Sequence, residues 1–261
     1  MRPRHSPDRP AETSPNATYV YCLVHSAKAP SIRGVPGSVP GAGRPRLLAI
    51  DRDVWAVVAD APLERFAGEA LRQEMQDVEN ISRHAFAHAS VIEFFFRRSS
   101  VIPLKLFTLF SSDEKARSDV RSRLASLKRM FAVLRGLEEW GVRIIGGEVE
   151  AEAARTLDSG RDYLQLKKRL HDDTKAPPRA TTNAVDGALR SLGRLASKTR
   201  KEMFPPAGRG RPYIRGASFL VKATRRMAWK KEAARIAAAL AAQGHRLEMS
   251  GPWPPYHFVS K

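Results

Sequence analysis

The first half of the chain alternates between short apolar runs of β type and longer runs of helical type. Residues 19–24 are rich in β-forming side chains and predict a mostly buried strand. A stretch dominated by Pro and Gly, residues 29–46, predicts a loop. Residues 47–50 and 54–59 then predict two short strands, and the polar turn between them indicates a hairpin.

A long helix without internal proline is predicted next, over residues 63–89. Two paired strands are predicted after it, at residues 91–96 and 101–107. The first of these strands carries Phe94, Phe95 and Phe96. Aromatic residues bury large areas, so the run fits a core strand, but an exposed apolar strand would also serve as a partner-binding edge.

The clearest helix of the first half follows residues 111–114, where Ser111 and Glu114 fit an S-x-x-E capping box. The apolar residues after the box recur at spacings of four and three, which places them on one helical face. They are Val120, Leu124, Leu127, Phe131 and Leu134. Residues 140–145 predict the next strand.

The second half predicts more helix and a smaller sheet. In order, the pattern predicts a helix over 148–173, a linker over 174–182, a basic helix over 183–203, a strand over 213–221, a helix over 226–243 and a strand over 245–249. The predicted helix over 226–243 places four apolar residues on one face, and Gly244 ends it; the four are Trp229, Ala233, Ile236 and Leu240.

This order predicts an α+β protein of two domains, each with a small, mainly antiparallel sheet covered by helices. Four prolines among charged and small polar residues predict a disordered tail over residues 1–16. The predicted N-terminal domain covers residues 17–146. The predicted C-terminal domain covers residues 147–261 and is the helix-rich half.

The 261 residues carry a formal net charge of +18, which favours acidic proteins, nucleic acid or anionic membranes as partners. The apolar segments are too short to span a bilayer, and the arginines at the N-terminus precede no apolar signal stretch. The single cysteine, Cys22, excludes an intrachain disulfide and is predicted to be a buried thiol. We therefore expect a cytoplasmic protein without a membrane partner.

The positive charge is concentrated between Arg190 and Lys231, where thirteen Lys/Arg and one acid give a net charge of +12. At helical spacing, Arg190, Arg194, Lys198 and Lys201 would form one basic stripe. Such a stripe is either a solvated face or a surface that binds nucleic acid or an acidic protein. Nucleic acid is disfavoured because this region has few aromatic residues on which bases would stack.

Residues that could carry catalysis or a metal are sparse. His84 and His88 have a zinc-compatible spacing, but no H-E-x-x-H pattern accompanies them, so surface or interface histidines are the preferred interpretation. Asp51 and Asp53 fit turn positions. We predict no catalytic residue, no metal site and no cofactor, and therefore a protein that is not an enzyme.

The last residues form the most distinctive segment, Gly251-Pro252-Trp253-Pro254-Pro255-Tyr256-His257-Phe258. Proline fixes φ and lacks a backbone donor, so this segment is not a helix and does not suit a central strand. Its aromatic residues, Trp253, Tyr256 and Phe258, predict docking in a groove. Two interpretations remain open: a rigid lid on its own domain, or a partner-binding edge.

This segment resembles the G-P-W-P-P-Y-x-F signature that closes proteins of the gas vesicle protein F/L family. Further matches follow in the order of the family, over residues 17–261. They are the opening strand at 19–24, the H-x-x-V-x-E block from His88, the strand block from Val101, a G-x-x-Y-L element at 160–164 and a strand at Phe219. Where the family has F-G-T, this chain has Leu106-Phe107-Thr108, so its backbone there should differ locally.

The resemblance implies two α+β domains, each ferredoxin-like or related, and no catalysis. It implies a role in the assembly of gas vesicles, the hollow protein-walled flotation compartments of some prokaryotes. The expected partners are the small hydrophobic shell protein and other accessory proteins, so the expected location is the cytoplasm, at gas vesicles or their assembly intermediates. The alternative is a nucleic-acid-binding module that uses the region from Arg190 to Lys231.

Overall fold

A computed structural model of the chain describes residues 16–145, 179–202 and 213–259. The chain divides into two compact units, and the second begins at Leu134. Each unit contains one antiparallel sheet, so the predicted α+β class with two sheets is confirmed.

The sheet of the first unit is built around strand β1. Its strands are β1 (Asn16–His25), β2 (Arg46–Ala49), β3 (Val54–Pro62), β4 (Ser100–Pro103) and β5 (Leu109–Phe110). Their order is β2-β3-β1-β4, and β5 also pairs with β1. Eight consecutive residues of β1 are buried, which explains why its sequence is a continuous apolar run rather than an alternating one. The predicted first strand and hairpin are confirmed.

The predicted helix over 63–89 is three helices: α1 (Leu63–Phe66), α2 (Gly68–Gln76) and α3 (Val78–Phe96). The first break falls at Ala67, whose backbone is extended. The second falls at Asp77, whose carboxylate caps α3 by accepting from the Glu79 N–H at 2.8 Å.

The predicted strand over residues 91–96 is wrong, because these residues are the last turns of α3. The buried residues of α3 recur at helical spacing; they are His84, His88, Val91, Ile92 and Phe95. The six-residue run looked like a strand because a short apolar run has the same appearance in a buried strand and a buried helix. Phe94, Phe95 and Phe96 therefore form no sheet edge.

The capped helix of the first unit is interrupted once, giving α4 (Asp113–Ser122) and α5 (Leu124–Leu134). Its N-cap is Ser112, whose hydroxyl accepts from the Lys115 N–H at 3.2 Å, so the cap lies one residue after the predicted Ser111. Four of the five residues of the predicted apolar face are buried, and Leu124 is half-buried.

Strand β4 is shorter than the predicted strand over residues 101–107. It ends at Pro103, and Phe107 adopts a positive φ of 60° at the position where the family resemblance expects glycine. Left-handed backbone is unfavourable for an aromatic residue. The Phe107 N–H donates to the buried Tyr19 hydroxyl at 3.2 Å, which helps to hold this conformation.

The second unit pairs four strands around β6. The strands are β6 (Leu137–Ile145), β7 (Lys198–Glu202), β8 (Tyr213–Lys222) and β9 (Arg246–Trp253), in the order β7-β8-β6-β9. Strand β6 pairs with both β8 and β9, so it belongs to the second unit. The division between the units thus precedes β6, whereas the sequence interpretation placed it after residue 146.

Two helices cover one face of this sheet: α6 (Arg179–Arg194) and α7 (Arg226–Ala241). The buried core joins alternate residues of β6 and β8 to both helices; it includes Trp140, Val142, Ile144, Val185, Leu189, Leu192, Ala217, Phe219 and Trp229. The predicted buried face of α7 is confirmed. Gly244, with a φ of +74°, follows the end of α7 as predicted.

The predicted basic helix over residues 183–203 is wrong in its second part. The helix ends at Arg194, and Lys198 and Lys201 lie on β7. The predicted helix-rich character of this half is not confirmed, since its described residues form two α-helices against five in the first unit. The predicted helix over 148–173 and nearly all of the predicted tail fall outside the described residues. Among the described helices, none is both long and apolar enough to cross a membrane.

Candidate functional site

The C-terminal segment, residues 251–259, lies on the second sheet of its own unit. It contains a 3-10 turn, Tyr256–Phe258. Within that turn, the His257 N–H donates to Glu139 Oε2 at 2.9 Å, and the His257 ring contacts the other carboxylate oxygen of Glu139. Arg200 of β7 donates to the His257 carbonyl oxygen at 2.8 Å. The segment therefore crosses the sheet face from β9 over β6 and β8 to β7, as the lid interpretation predicts.

Gly251 makes this path possible. Its φ is +126°, in a region that residues with a side chain rarely adopt. A Cβ atom there would lie 2.8 Å from the Glu139 carbonyl oxygen and 3.2 Å from the Trp140 ring. Only glycine allows the backbone of β9 to approach β6 so closely before it turns across the sheet.

The six apolar residues predicted to bind a partner differ in exposure. On α3, Phe95 is buried, whereas Phe94 and Phe96 are half-buried. The Phe94 ring lies under the Arg98 guanidinium group, 4.0 Å from its centroid. In the C-terminal segment, Tyr256 and Phe258 are half-buried, and Trp253 is the most available of the six, with 39% of its surface exposed.

The two edges of the second sheet present different surfaces. Strand β7 carries the exposed cations Lys198, Arg200 and Lys201 within five residues, a pattern that discourages pairing with another strand. Strand β9, at the other edge, exposes Met249 and Trp253 and carries one exposed cation, Arg246, which pairs with Glu248. Its single sheet partner among the described strands is β6.

A shallow cleft of about 510 Å³ lies beside β9. It is lined by Gly141 and Arg143 of β6 and by Glu248, Met249 and Ser250 of β9. A Cβ atom on Gly141 would lie 2.9 Å from the Ser250 hydroxyl oxygen, so the glycine leaves room for that side chain in the cleft. Cleft and edge together form a surface that combines backbone hydrogen-bonding groups with apolar side chains.

The four predicted basic residues do not form one helical stripe. Arg190 and Arg194 are exposed on α6, and Arg194 donates to the Ser191 hydroxyl at 3.0 Å. Lys198 and Lys201 are exposed on β7, where a separation of three residues places them on opposite faces of the sheet. The structure therefore removes the geometric basis of the proposed nucleic-acid stripe.

His84 and His88 are buried, so the prediction of surface or interface histidines is wrong. His88 bonds through Nδ1 to the Tyr19 hydroxyl at 2.8 Å and through Nε2 to the Leu104 carbonyl oxygen at 3.1 Å. Burial lowers the pKa of His88 to about 4. His84 Nε2 lies 3.4 Å from a carboxylate oxygen of Glu74. The described parts of the chain contain no group of three or more His, Cys, Asp or Glu side chains that could hold a metal ion.

The other titratable groups stabilise local structure. Asp51 and Asp53 both bind the Lys128 ammonium group, at 2.6 and 2.8 Å, and this contact lowers the pKa of both carboxyls. Burial raises the pKa of the Cys22 thiol, which makes it a poor nucleophile. In the second unit, Glu138 is 4% exposed and accepts two bonds from Arg226, at 2.7 and 2.6 Å.

Sequence reasoning missed Met249, Gly141 and the edge position of β9. Strand order depends on contacts between distant segments, and no local pattern marks which strand is outermost. The sequence predicts a strand at residues 245–249, and Leu247 packs against the core, but the pattern does not give the place of this strand in the sheet.

Solved structures share this two-sheet architecture. The crystal structure of the gas vesicle protein GvpF from Anabaena sp. PCC7120 aligns with a TM-score of 0.64 at 16% identity, covering 94% of this chain and 97% of that one. The structure of GvpF from Microcystis aeruginosa aligns with a TM-score of 0.62 at 14% identity, covering 94% and 99%. The fold is therefore GvpF-like.

The sequence comparisons give the family. The family model of gas vesicle synthesis protein GvpL/GvpF matches residues 17–260. Gas vesicle protein L of Streptomyces sp. (strain CB03234) is 26% identical over 262 residues, covering 92% of each chain. The chain belongs to the GvpL/GvpF family of gas vesicle synthesis proteins, and the family resemblance noted in the sequence is confirmed.

Proposed function

We propose that this chain is a non-catalytic assembly factor that acts in the cytoplasm, binding the small hydrophobic shell protein and other accessory proteins while gas vesicles form. Membership of the family supports the role in vesicle synthesis. The observation that carries the binding role is the edge strand β9, which exposes two large apolar side chains, Met249 and Trp253, beside a cleft.

An incoming strand of the shell protein would pair with the outer edge of β9, where the sheet order leaves the backbone available. Pro252 has no N–H, so this pairing would follow residues 246–251 rather than the C-terminal segment. The cationic edge at β7 would direct the partner to β9 instead of competing for it.

Covering the exposed apolar side chains of this edge would contribute several kcal/mol to the free energy of binding a partner. Trp253 is 39% exposed and Met249 38% exposed. Covering both would remove on the order of 150 Å² of apolar surface from water, worth about 4 kcal/mol. The contacts of His257 with Glu139 support this surface, because they fix the backbone that follows Trp253 before a partner arrives.

Co-expression with tagged shell protein tests the proposal. We expect wild-type chain to be recovered with the tag and the Trp253→Ala variant to be captured about tenfold less, because an interface tryptophan often contributes more than 1 kcal/mol. Phe86→Ala is the matched control, since Phe86 is an aromatic residue 77% exposed on α3. Equal capture of wild type and Trp253→Ala, or an equal loss in the Phe86 control, would reject the β9 edge as the binding surface.

Truncation before Gly251 is the coarser test. It removes the bond from His257 to Glu139 and leaves that carboxylate, 3% exposed in the intact chain, without this partner. We expect the second unit to unfold or shell-protein capture to be lost. A truncated chain with normal circular dichroism and normal capture would count against both the lid and the edge.

We also propose that the second unit is a ferredoxin-like domain. The described elements of that unit run β6, α6, β7, β8, α7, β9, a β-α-β-β-α-β succession in one antiparallel sheet, which supports this assignment. The first unit differs, because residues 26–45 connect β1 to β2 without a helix. An experimental structure in which β8 did not lie between β6 and β7 would exclude the assignment.

A further inference from the structure

Cations collect at one end of the second sheet, where β6 begins and β8 ends. The Ala223 N–H donates to the Gly136 carbonyl oxygen at 2.9 Å, which holds the turn after β8 against the start of β6. Arg135 precedes this contact on one segment, and Lys222 and Arg225 flank it on the other. All three of these cationic side chains are exposed.

Helix α7 extends this group of charges. The ammonium group of Lys230 lies 5.8 Å from the centroid of the Trp140 ring, and Lys231 follows it on the helix surface. Two carboxylates that lie near the group in the sequence are both already bonded: Glu138 to Arg226, and Glu232 to Arg235. Over residues 16–145, 179–202 and 213–259, no ion pair involves Arg135, Lys222 or Lys230.

The stability of the fold does not explain this arrangement. Cations at the N-terminal end of a helix oppose its dipole, and α7 has no acidic residue in its first turn to compensate. Like charges four residues apart, as at Arg226 and Lys230, repel one another. Helix α4 shows the favourable arrangement, since it begins with Asp113 and Glu114.

An apolar side chain lies among these cations. Met227 is 76% exposed, between Arg226 and the two lysines on the next turn of α7. A nucleic-acid backbone would neutralise the charges but offers no aliphatic group to cover a methionine. A single inserted methionine would contribute little affinity for an anionic membrane, because the other large apolar residues of α7 face the core.

We propose that Arg135, Lys222, Arg225, Lys230 and Lys231, together with Met227, form a docking surface for an acidic protein segment that carries an apolar side chain. We call this the cationic end surface. It consists of residues other than those of the β9 edge and does not depend on shell-protein binding. The carboxylates of the partner segment would meet the cations, and its apolar side chain would cover Met227.

Fluorescence anisotropy with labelled synthetic peptides tests the surface. The probes are a short helical peptide of glutamate and leucine and a glutamate and serine peptide of equal charge and length. The test variant combines Lys222→Glu, Arg225→Glu and Lys230→Glu and leaves Arg226 in place for Glu138. The control variant, which combines reversals at Lys28, Arg33 and Lys105, makes the same change in net charge at exposed positions of the first unit.

We expect the glutamate and leucine peptide to bind wild type and the control variant alike, and the test variant about tenfold more weakly or less. Met227→Gln should weaken the binding of this peptide about fivefold and leave the binding of the serine peptide unchanged. Met75→Gln, at another exposed methionine, should change the binding of neither peptide. Circular dichroism should show that every variant is folded.

Several results would overturn the proposal. Equal losses of peptide affinity in the test and control variants would show that net charge alone, and not this surface, accounts for the binding. Equal affinity for the two peptides would remove the role of Met227. Tighter binding of duplex DNA, or of phosphatidylglycerol vesicles, with the same sensitivity to the test variant would assign the surface to that class of partner instead.

Discussion

Protonation of His88 should destabilise the first unit well above the pH at which most carboxylates titrate. The Leu104 carbonyl oxygen can only accept, so Nε2–H of His88 donates to it, and Nδ1 of the neutral ring accepts from the Tyr19 hydroxyl, which itself accepts from the Phe107 N–H. Both ring nitrogens are therefore used. A proton on Nδ1 would meet the Tyr19 O–H donor inside the core.

The magnitude follows from the pKa. Burial lowers the pKa of His88 to about 4, against an ordinary value of 6.5 in the unfolded chain. Between these values the unfolded state binds the proton and the folded state does not, so stability falls as the pH falls. From pH 7.5 to 5.0 this difference in protonation removes about 2 kcal/mol from the free energy of unfolding.

The measurement compares wild type with His88→Gln, whose amide does not titrate but can still donate and accept one bond each. Urea unfolding is followed by pulsed hydrogen exchange of the β1 peptide, which reports on the first unit alone. The wild-type loss between pH 7.5 and 5.0 should exceed the variant loss by about 2 kcal/mol. Parallel losses in the two proteins, or a His88 resonance titrating near its ordinary value, would refute the reasoning.

Two further substitutions test the second unit. Gly251→Ala should destabilise it by about 2 kcal/mol or more, because the new Cβ would meet a β6 carbonyl oxygen at 2.8 Å under a positive φ. Gly187→Ala on α6 is the control and should be neutral or stabilising by up to about 1 kcal/mol, since the nearest atom lies at 3.9 Å. Arg226→Ala leaves buried Glu138 without its cation and should cost about 3 kcal/mol, whereas exposed Arg235→Ala should cost less than about 1 kcal/mol; both are read from urea midpoints. Equal effects within either pair would contradict the stated cause.

Most of the elements could be predicted from local pattern. The β-forming composition of the run at β1 and the polar turn of the β2–β3 hairpin indicated strands, and the helical period of the apolar residues indicated the buried face of α7. The predictions failed where two readings have the same local appearance. The apolar run at the end of α3 predicts a strand but is helix, and the spacing of the cations after Arg194 predicts more helix but belongs to β7.

The candidate site was predicted only in part. The proline and aromatic composition of the C-terminal segment indicated a docked end, and it also carried the family resemblance. The sequence did not reveal that Glu139, more than a hundred residues earlier, receives the His257 N–H. A glutamate within an apolar strand has no local signature of a distant partner.

The amino-acid sequence by itself determined the family, the α+β class and the constraints of the C-terminal segment, because proline geometry, glycine freedom and apolar period are properties of neighbouring residues. Only the tertiary structure decided that β9 is an edge, that Trp253 stays exposed while Phe95 is buried, and that the cations near α7 share one surface. These features depend on which distant segments pair. That choice is made by the free energy of the whole packed unit, and local sequence patterns do not report it.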